Sequence, residues 1–111
     1  MSETVPLGVF EEQILVAVLR TRAEAYGMGV RRELERVTGR DLAIGAVYAT
    51  LDRLEAKGLV GSERTHDGGA PSRRRFAVTP AGARALAETR AMRERLWQGV
   101  DVGGLLALGA G

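Results

Sequence analysis

At 111 residues, 45% of them hydrophobic and 27% charged, the chain is sized for one folded domain and too evenly mixed for wholesale disorder or a membrane span. It has no cysteine, which excludes disulfides, thiol switches and cysteine-type zinc sites, and residues 1–10 lack the basic-then-apolar order of a secretory signal, so the cytosol is the expected compartment. The net charge of +2 hides an asymmetry: eight arginines face three acids between Arg64 and Arg95, while residues 1–63 hold eight basic against ten acidic side chains, a cationic stripe that suits nucleic acid but also occurs as a solvated charge run.

In chain order, Leu7, Phe10, Ile14, Leu15, Val18 and Leu19 recur at helical intervals and predict a first amphipathic helix over residues 8–22. A second helix is predicted over 26–37 with Val30, Leu34 and Val37 inward, and Thr38 and Gly39 close it because glycine tolerates the left-handed conformation of a helix end. A third opens near residues 41–43 and runs to Lys57, with Val47, Leu51 and Leu54 spaced i, i+4 and i+7. Its polar face is poor in charge and rich in small residues: Gly45, Ala46, Ala49 and Thr50, with Tyr48 among them. Such a face can approach another surface closely.

Residues 59–65 and 73–79 are each short enough for strands, and the turn formers of 66–72 join them into a hairpin. Phe76 and Val78 alternate with Arg75 and Ala77, the period of a strand with one buried face. Thr79 and Pro80 then supply an N-cap and a proline at the first helical position, starting a fourth helix over 80–98. Ala85, Thr89, Met92 and Leu96 form a seam on it, flanked by Leu86 and Trp97, and a projecting helix of roughly 28 Å needs a partner for that edge. Residues 99–111 are glycine-rich and read as a flexible tail.

This order is that of a winged helix-turn-helix, a mainly α fold with a small β-hairpin, divided into a DNA-binding domain over 1–79, a C-terminal dimerisation helix over 80–98 and the tail. In such a fold the third helix enters the major groove of duplex DNA. Small side chains at Gly45, Ala46 and Ala49 bring its backbone close, while Tyr48, Thr50 and Arg53 reach bases or phosphates. On the wing, Arg73 and Arg74 contact phosphates or enter the minor groove. Other readings stay open: Tyr48 as half-buried core, Arg53 paired with Glu55 or Glu35, and Arg75 on the opposite strand face. Nothing assembles into a catalytic or metal centre, His66 standing alone in a glycine-rich loop, and no cofactor is expected. The alternative to DNA is a docking module whose arginine-rich wing meets an acidic protein.

Leu7-Gly8-Val9-Phe10-Glu11, Glu24-Ala25-Tyr26-Gly27, Gly45-Ala46-Val47-Tyr48 with Leu51, Arg53-Leu54-Glu55, Lys57-Gly58-Leu59-Val60, Arg73-Arg74-Arg75-Phe76 and Thr79-Pro80-Ala81-Gly82 together resemble the PadR family of transcriptional regulators. The resemblance covers about residues 7–96 and fits the family's smaller branch, with a single C-terminal helix. It implies a cytoplasmic homodimer, usually a repressor, that binds a pseudo-palindromic operator and often responds to small aromatic or drug-like ligands. Tyr48 becomes the leading DNA contact through its hydroxyl, Arg53 a phosphate contact on the helix flank, and Tyr26 the start of a helix whose N–H groups meet a phosphate. The first and last helices make the dimer, through Phe10, Leu15, Met92, Leu96, Trp97 and Val100. Trp97, the one tryptophan, is also the candidate contact for a hydrophobic effector between subunits. The chain departs from the family pattern at Ala43, where a capping serine is frequent, at Ala49, where a proline is, and at Phe76-Ala77, where two aromatics are. The cap of the third helix is thereby left to Asp41, to water or to nothing.

Overall fold

The computed structural model describes residues 7–65 and 72–109, so most of the predicted wing loop, His66 included, lies outside the described residues. The elements run α1 (Val9–Thr21), a short 3-10 turn (Arg22–Glu24), α2 (Gly27–Thr38), α3 (Ile44–Ala56), β1 (Val60–Thr65), β2 (Arg73–Val78), α4 (Pro80–Trp97) and α5 (Val102–Gly109). The predicted helices and strands are found within a residue or two, apart from the start of α3, and the chain is a winged helix-turn-helix.

Each boundary has a local cause. The Gly8 N–H donates to Glu11 Oε1 at 3.0 Å, closing the first turn of α1. Gly39 takes φ 71° and its N–H reaches Glu35 O, ending α2 in the left-handed cap the sequence predicts. Ala43 gives α3 no side-chain cap, so Asp41 does not fill that role. Thr79 Oγ1 accepts from the Gly82 N–H at 3.0 Å and donates to Gly58 O at 2.7 Å, so one hydroxyl starts α4 and ties it to the turn after α3.

One apolar cluster holds these pieces together: Ile14, Leu15 and Val18 of α1, Val30 and Leu34 of α2, Val47, Leu51 and Leu54 of α3, and Val60 and Phe76 of the hairpin. Burying each such side chain contributes about 1.5–3 kcal/mol before the entropy of ordering it. The strands pair antiparallel from Val60 opposite Val78 to Thr65 opposite Arg73. The Phe76 N–H donates to Ala25 O at 2.8 Å, and Tyr26 bridges Arg75. The segment entering α2 thus adds a third, minimal rung to the wing.

Three expectations about facing are corrected. Leu15, predicted at a dimer interface, is 0% exposed, because adjacent Ile14 and Leu15 both turn into this chain's own core. Phe10 is partly buried and packs on the same cluster. Val37, predicted inward, is 54% exposed at the end of α2. The α4 seam is divided: Ala85 and Thr89 are buried, with Thr89 Oγ1 accepting from the Leu7 N–H, whereas Met92 is half-buried and Leu96 is 70% exposed. The first half of the seam therefore belongs to the monomer. Arg93 pairs with Glu12 through both guanidinium amines, fastening α4 to α1 at that point.

Beyond it α4 projects with Leu96, Trp97 and Val100 exposed, and residues read as tail form α5, with the Gly103 N–H held by Asp101 Oδ1 at 2.9 Å. No residue of α5 is buried. The radius of gyration, 17.0 Å, exceeds the about 13 Å of a compact chain of this size. Among the described residues no helix is long and apolar enough to cross a membrane.

Two predictions follow from this packing. A Cβ at position 82 would stand 2.0 Å from Leu59 O and 2.9 Å from Val78 Cγ1, so Gly82→Ala is expected to destabilise the fold by about 1–3 kcal/mol in urea titration, and an unchanged midpoint would remove the contact. The Glu33 carboxyl is pulled from 4.5 to about 2, first by Arg36 and then by Arg20 donating to it. Its folded pKa is depressed, so the stabilisation is complete above the ordinary carboxylate range and is lost as pH falls toward 2. Glu33→Gln should flatten the melting temperature against pH between 4.5 and 2, and a slope equal to the parent's would exclude this clamp.

Candidate nucleic-acid interface

The turn between α2 and α3 is pinned by side chains. Arg31 Nε donates to Leu42 O at 2.8 Å, and the Leu42 N–H donates to Glu35 Oε2 at 2.8 Å. Both polar groups of one turn residue are satisfied by α2, which fixes the angle at which α3 leaves. Helix α3 then buries Val47, Thr50, Leu51 and Leu54, so its opposite face must look outward. That face carries Gly45, Ala46, Ala49, Asp52 and Arg53, all exposed. A Cβ at Gly45 would meet nothing within 4 Å. The low profile expected of a groove-entering helix is present.

Thr50 is a correction to the expected set of base-reaching residues. It is 3% exposed, lying one helical turn from Val47 and Leu54 on the inward face, and its hydroxyl accepts weakly from Arg53 Nη2 at 3.4 Å. Arg53 itself is exposed, with Nε 3.9 Å from Glu11 Oε2; neither Glu55 nor Glu35 pairs with it. Glu11 is engaged more closely by Lys57 at 2.7 Å, and this hydrogen bond is the chief cause holding the Glu11 carboxyl below its ordinary range.

Tyr48 is half-buried and packs on the core while lining the outer surface. Its ring occupies the space a side chain at position 27 would need, since a Cβ there would fall 2.3 Å from Tyr48 Cζ. Among the described residues the Tyr48 hydroxyl has no hydrogen-bond partner. Tyr48 lines a concavity of about 790 Å³ together with Glu24, Tyr26, Met28, Gly29, Arg32, Glu33 and Arg36 at and before α2 and with Arg64, Ser72, Arg73 and Arg74 of the wing. Helix α3 and the wing therefore share one face of the molecule.

The three consecutive wing arginines divide their work. The Arg73 guanidinium lies 4.0 Å over the Tyr26 ring, a cation–π contact. Arg74 turns back to α3, donating to Asp52 Oδ1 at 2.9 Å and Glu55 Oε1 at 2.7 Å, with its plane over Phe76. Burial opposes its charge, but Asp52 and Glu55 outweigh that effect and raise its pKa. Its predicted phosphate contact would thus have to displace two carboxylates. Arg75 pairs with Glu63 across the hairpin.

Lining residues not singled out from the sequence include Thr21, Met28, Gly29, Arg32 and Arg64. Met28 and Arg32 stand four apart on α2, a spacing that places them on one face. Among the described residues Arg32 has no ion pair, unlike Arg36, which clamps Glu33.

Comparison with known proteins fits this geometry. Residues 14–88 match the sequence pattern of the transcriptional regulator PadR-like family. The chain belongs to that family. Transcriptional regulator Rv3488 of Mycobacterium tuberculosis is 46% identical over 74 residues, the match spanning 66% of each chain. RosR of H. salinarum is similar in structure, with a TM-score of 0.68 at 26% identity, covering 97% of both chains. Bacillus subtilis PadR, solved in complex with operator DNA, superposes with a TM-score of 0.63 at 20% identity over 76% of this chain and 47% of its own, a likeness of fold.

Because Arg74 bridges β2 to α3, Arg74→Ala is expected to raise amide hydrogen exchange along β1 and β2 while leaving α1 and α2 protected. Unaltered exchange in the hairpin would show that the two carboxylates do not hold the wing.

Proposed function

We propose that this PadR-like regulator binds duplex DNA as a two-fold homodimer, acting as a repressor on a pseudo-palindromic operator. The observation that carries the reading is that Tyr48 of α3 and Arg73 of the wing line one concavity, while Arg74 ties the wing to Asp52 on the exposed face of α3. An α-helix fits the major groove only when its leading residues are small or reach outward. Gly45, Ala46 and Ala49 meet the first condition, and Tyr48 and Arg53 the second. The wing then follows the adjacent backbone, with Arg73, Arg64 and Arg32 as phosphate partners and Arg74 as the brace behind them. The start of α2 lines the same concavity through Tyr26, Met28 and Gly29, and N–H groups at a helix start suit a phosphate oxygen.

In this reading residues 1–79 form the DNA-binding unit and 80–98 the dimerisation helix. A two-fold axis near the exposed end of α4 would bury Leu96, Trp97 and Val100, with Met92 at the margin. A flat hydrophobic effector bound between paired Trp97 rings would release the operator by changing the spacing of the two α3 helices.

The test is titration of duplex DNA at increasing salt. A dimer neutralising several phosphates should lose roughly a thousandfold in affinity between about 50 and 200 mM salt. Arg73→Ala should weaken binding to every sequence and reduce the salt slope by about one per phosphate lost in each half-site, whereas Tyr48→Phe should weaken operator binding without changing the melting temperature. Absence of duplex binding in dilute buffer would favour the acidic-protein docking module.

A further inference from the structure

Asp52 stands out on the outer face of α3. Gly45, Ala49 and Asp52 follow one another at i, i+4 and i+7 and form a single exposed stripe along the helix. The first two bring no hydrogen-bonding side chain, so Asp52 is the polar group of that stripe. It is also an anion on the surface whose partner, in the reading above, is a polyanion. Its side chain is 59% exposed, and Oδ1 accepts from Arg74 Nη1 at 2.9 Å. Among the described residues Oδ2 has no hydrogen-bond partner.

As a brace for the wing, Asp52 adds little to Glu55. Glu55 takes the other Arg74 amine at 2.7 Å with Oε1 and the Ser62 hydroxyl at 2.7 Å with Oε2, so one acid holds both strands of the hairpin and matches the Arg74 charge. A second, more exposed pair contributes little stability, while its charge faces outward and costs affinity for any anionic partner unless the carboxylate has a donor there to meet.

We propose that Asp52 reads a base: Oδ2 accepts a hydrogen bond from the exocyclic amine of a cytosine in the major groove while Arg74 holds Oδ1. The inference rests on the duplex-binding function above and adds which base one position of the half-site prefers. A side chain as short as aspartate reaches a base edge only when its helix lies close, and Gly45 and Ala49 on the same stripe permit that approach. In the major groove guanine presents two acceptors and thymine one, and these repel a carboxylate. Adenine offers an amine beside the N7 acceptor, whereas cytosine offers an amine with no acceptor next to it on its own edge. Cytosine is therefore the base that attracts Asp52 without an opposing lone pair. Arg74 makes the contact feasible in two ways. Its cation offsets the repulsion between Asp52 and the flanking phosphates, and its hold on Oδ1 orients the carboxylate before DNA arrives, so less side-chain freedom is lost on binding.

The experiment selects bound duplexes from a pool with a randomised core long enough for two half-sites, using the parent, Asp52→Ala, Asp52→Asn and Glu55→Gln, and then titrates the enriched duplexes singly. The parent should enrich one C·G pair in each half-site, and its replacement by any other pair should weaken binding about 5- to 150-fold. Asp52→Asn keeps an oxygen for Arg74 and presents an amide suited to the N6 and N7 edge of adenine, so A·T should be enriched at that position. Asp52→Ala should accept all four pairs there alike. Glu55→Gln, which weakens the brace and leaves the stripe intact, should lower affinity for every sequence and keep the C·G preference. Should the Asp52 variants enrich the same pair as the parent at every position, or lose affinity uniformly as Glu55→Gln does, the base contact is overturned and duplex binding stands. A parent that binds duplex without enriching any pair has the same meaning. A parent that binds no duplex in dilute buffer removes the proposed function and the base contact together.

Discussion

Beneath the Tyr48 ring there is no side chain, and the shape of the outer face depends on that vacancy. Position 27 is glycine at the first turn of α2, and a Cβ there would overlap Tyr48 Cζ, Oη and Cε1. Helix α3 can therefore cross the start of α2 closely enough for an aromatic ring to lie flat between them. The same closeness lets Val47 and Leu51 reach the core below while the hydroxyl stays outside. Tyr26, the residue before the vacancy, caps α2 and offers its ring to Arg73. Packing and surface chemistry are here one arrangement, seen from its two sides.

Electrostatics sorts the arginines in a way the charge total conceals. Arg74, Arg75, Arg90 and Arg93 each meet a carboxylate within the chain, so much of the apparent cationic stripe is internally neutralised. Exposed pairs of this kind add little stability one by one. Their effect is local: they neutralise Arg90 and Arg93 on α4 and Arg74 and Arg75 on the wing, whereas among the described residues Arg84 and Arg95 of α4 have no ion pair.

Much of the fold was legible because its periodicities are strong. The i, i+4, i+7 pattern of Val47, Leu51 and Leu54, the Thr79-Pro80 start and the Gly39 stop are local signals with local causes, and each stands as read. Facing was harder wherever both sides of a helix carry small or apolar residues. Thr50 and Ala49 are neighbours of similar size, and only the crossing of α3 over the core decides that one is buried. Leu15 and Val16 pose the same problem on α1. The pairing of Arg74 with Asp52 and Glu55 joins residues about twenty apart in sequence, and no spacing rule announces it. Helix α5 was missed because three glycines in eight residues argue against helix on propensity alone.

The bracing of the wing also limits how the molecule can adapt. Arg74 joins the hairpin strands to α3, and Arg31 and Glu35 hold Leu42, so α3, the turn before it and the two strands are braced to one another. In the proposed dimer, adjustment to a different separation between half-sites would therefore not come from within one protomer. It would be absorbed farther out, by bending of the nucleic acid or by rotation of one whole chain against the other.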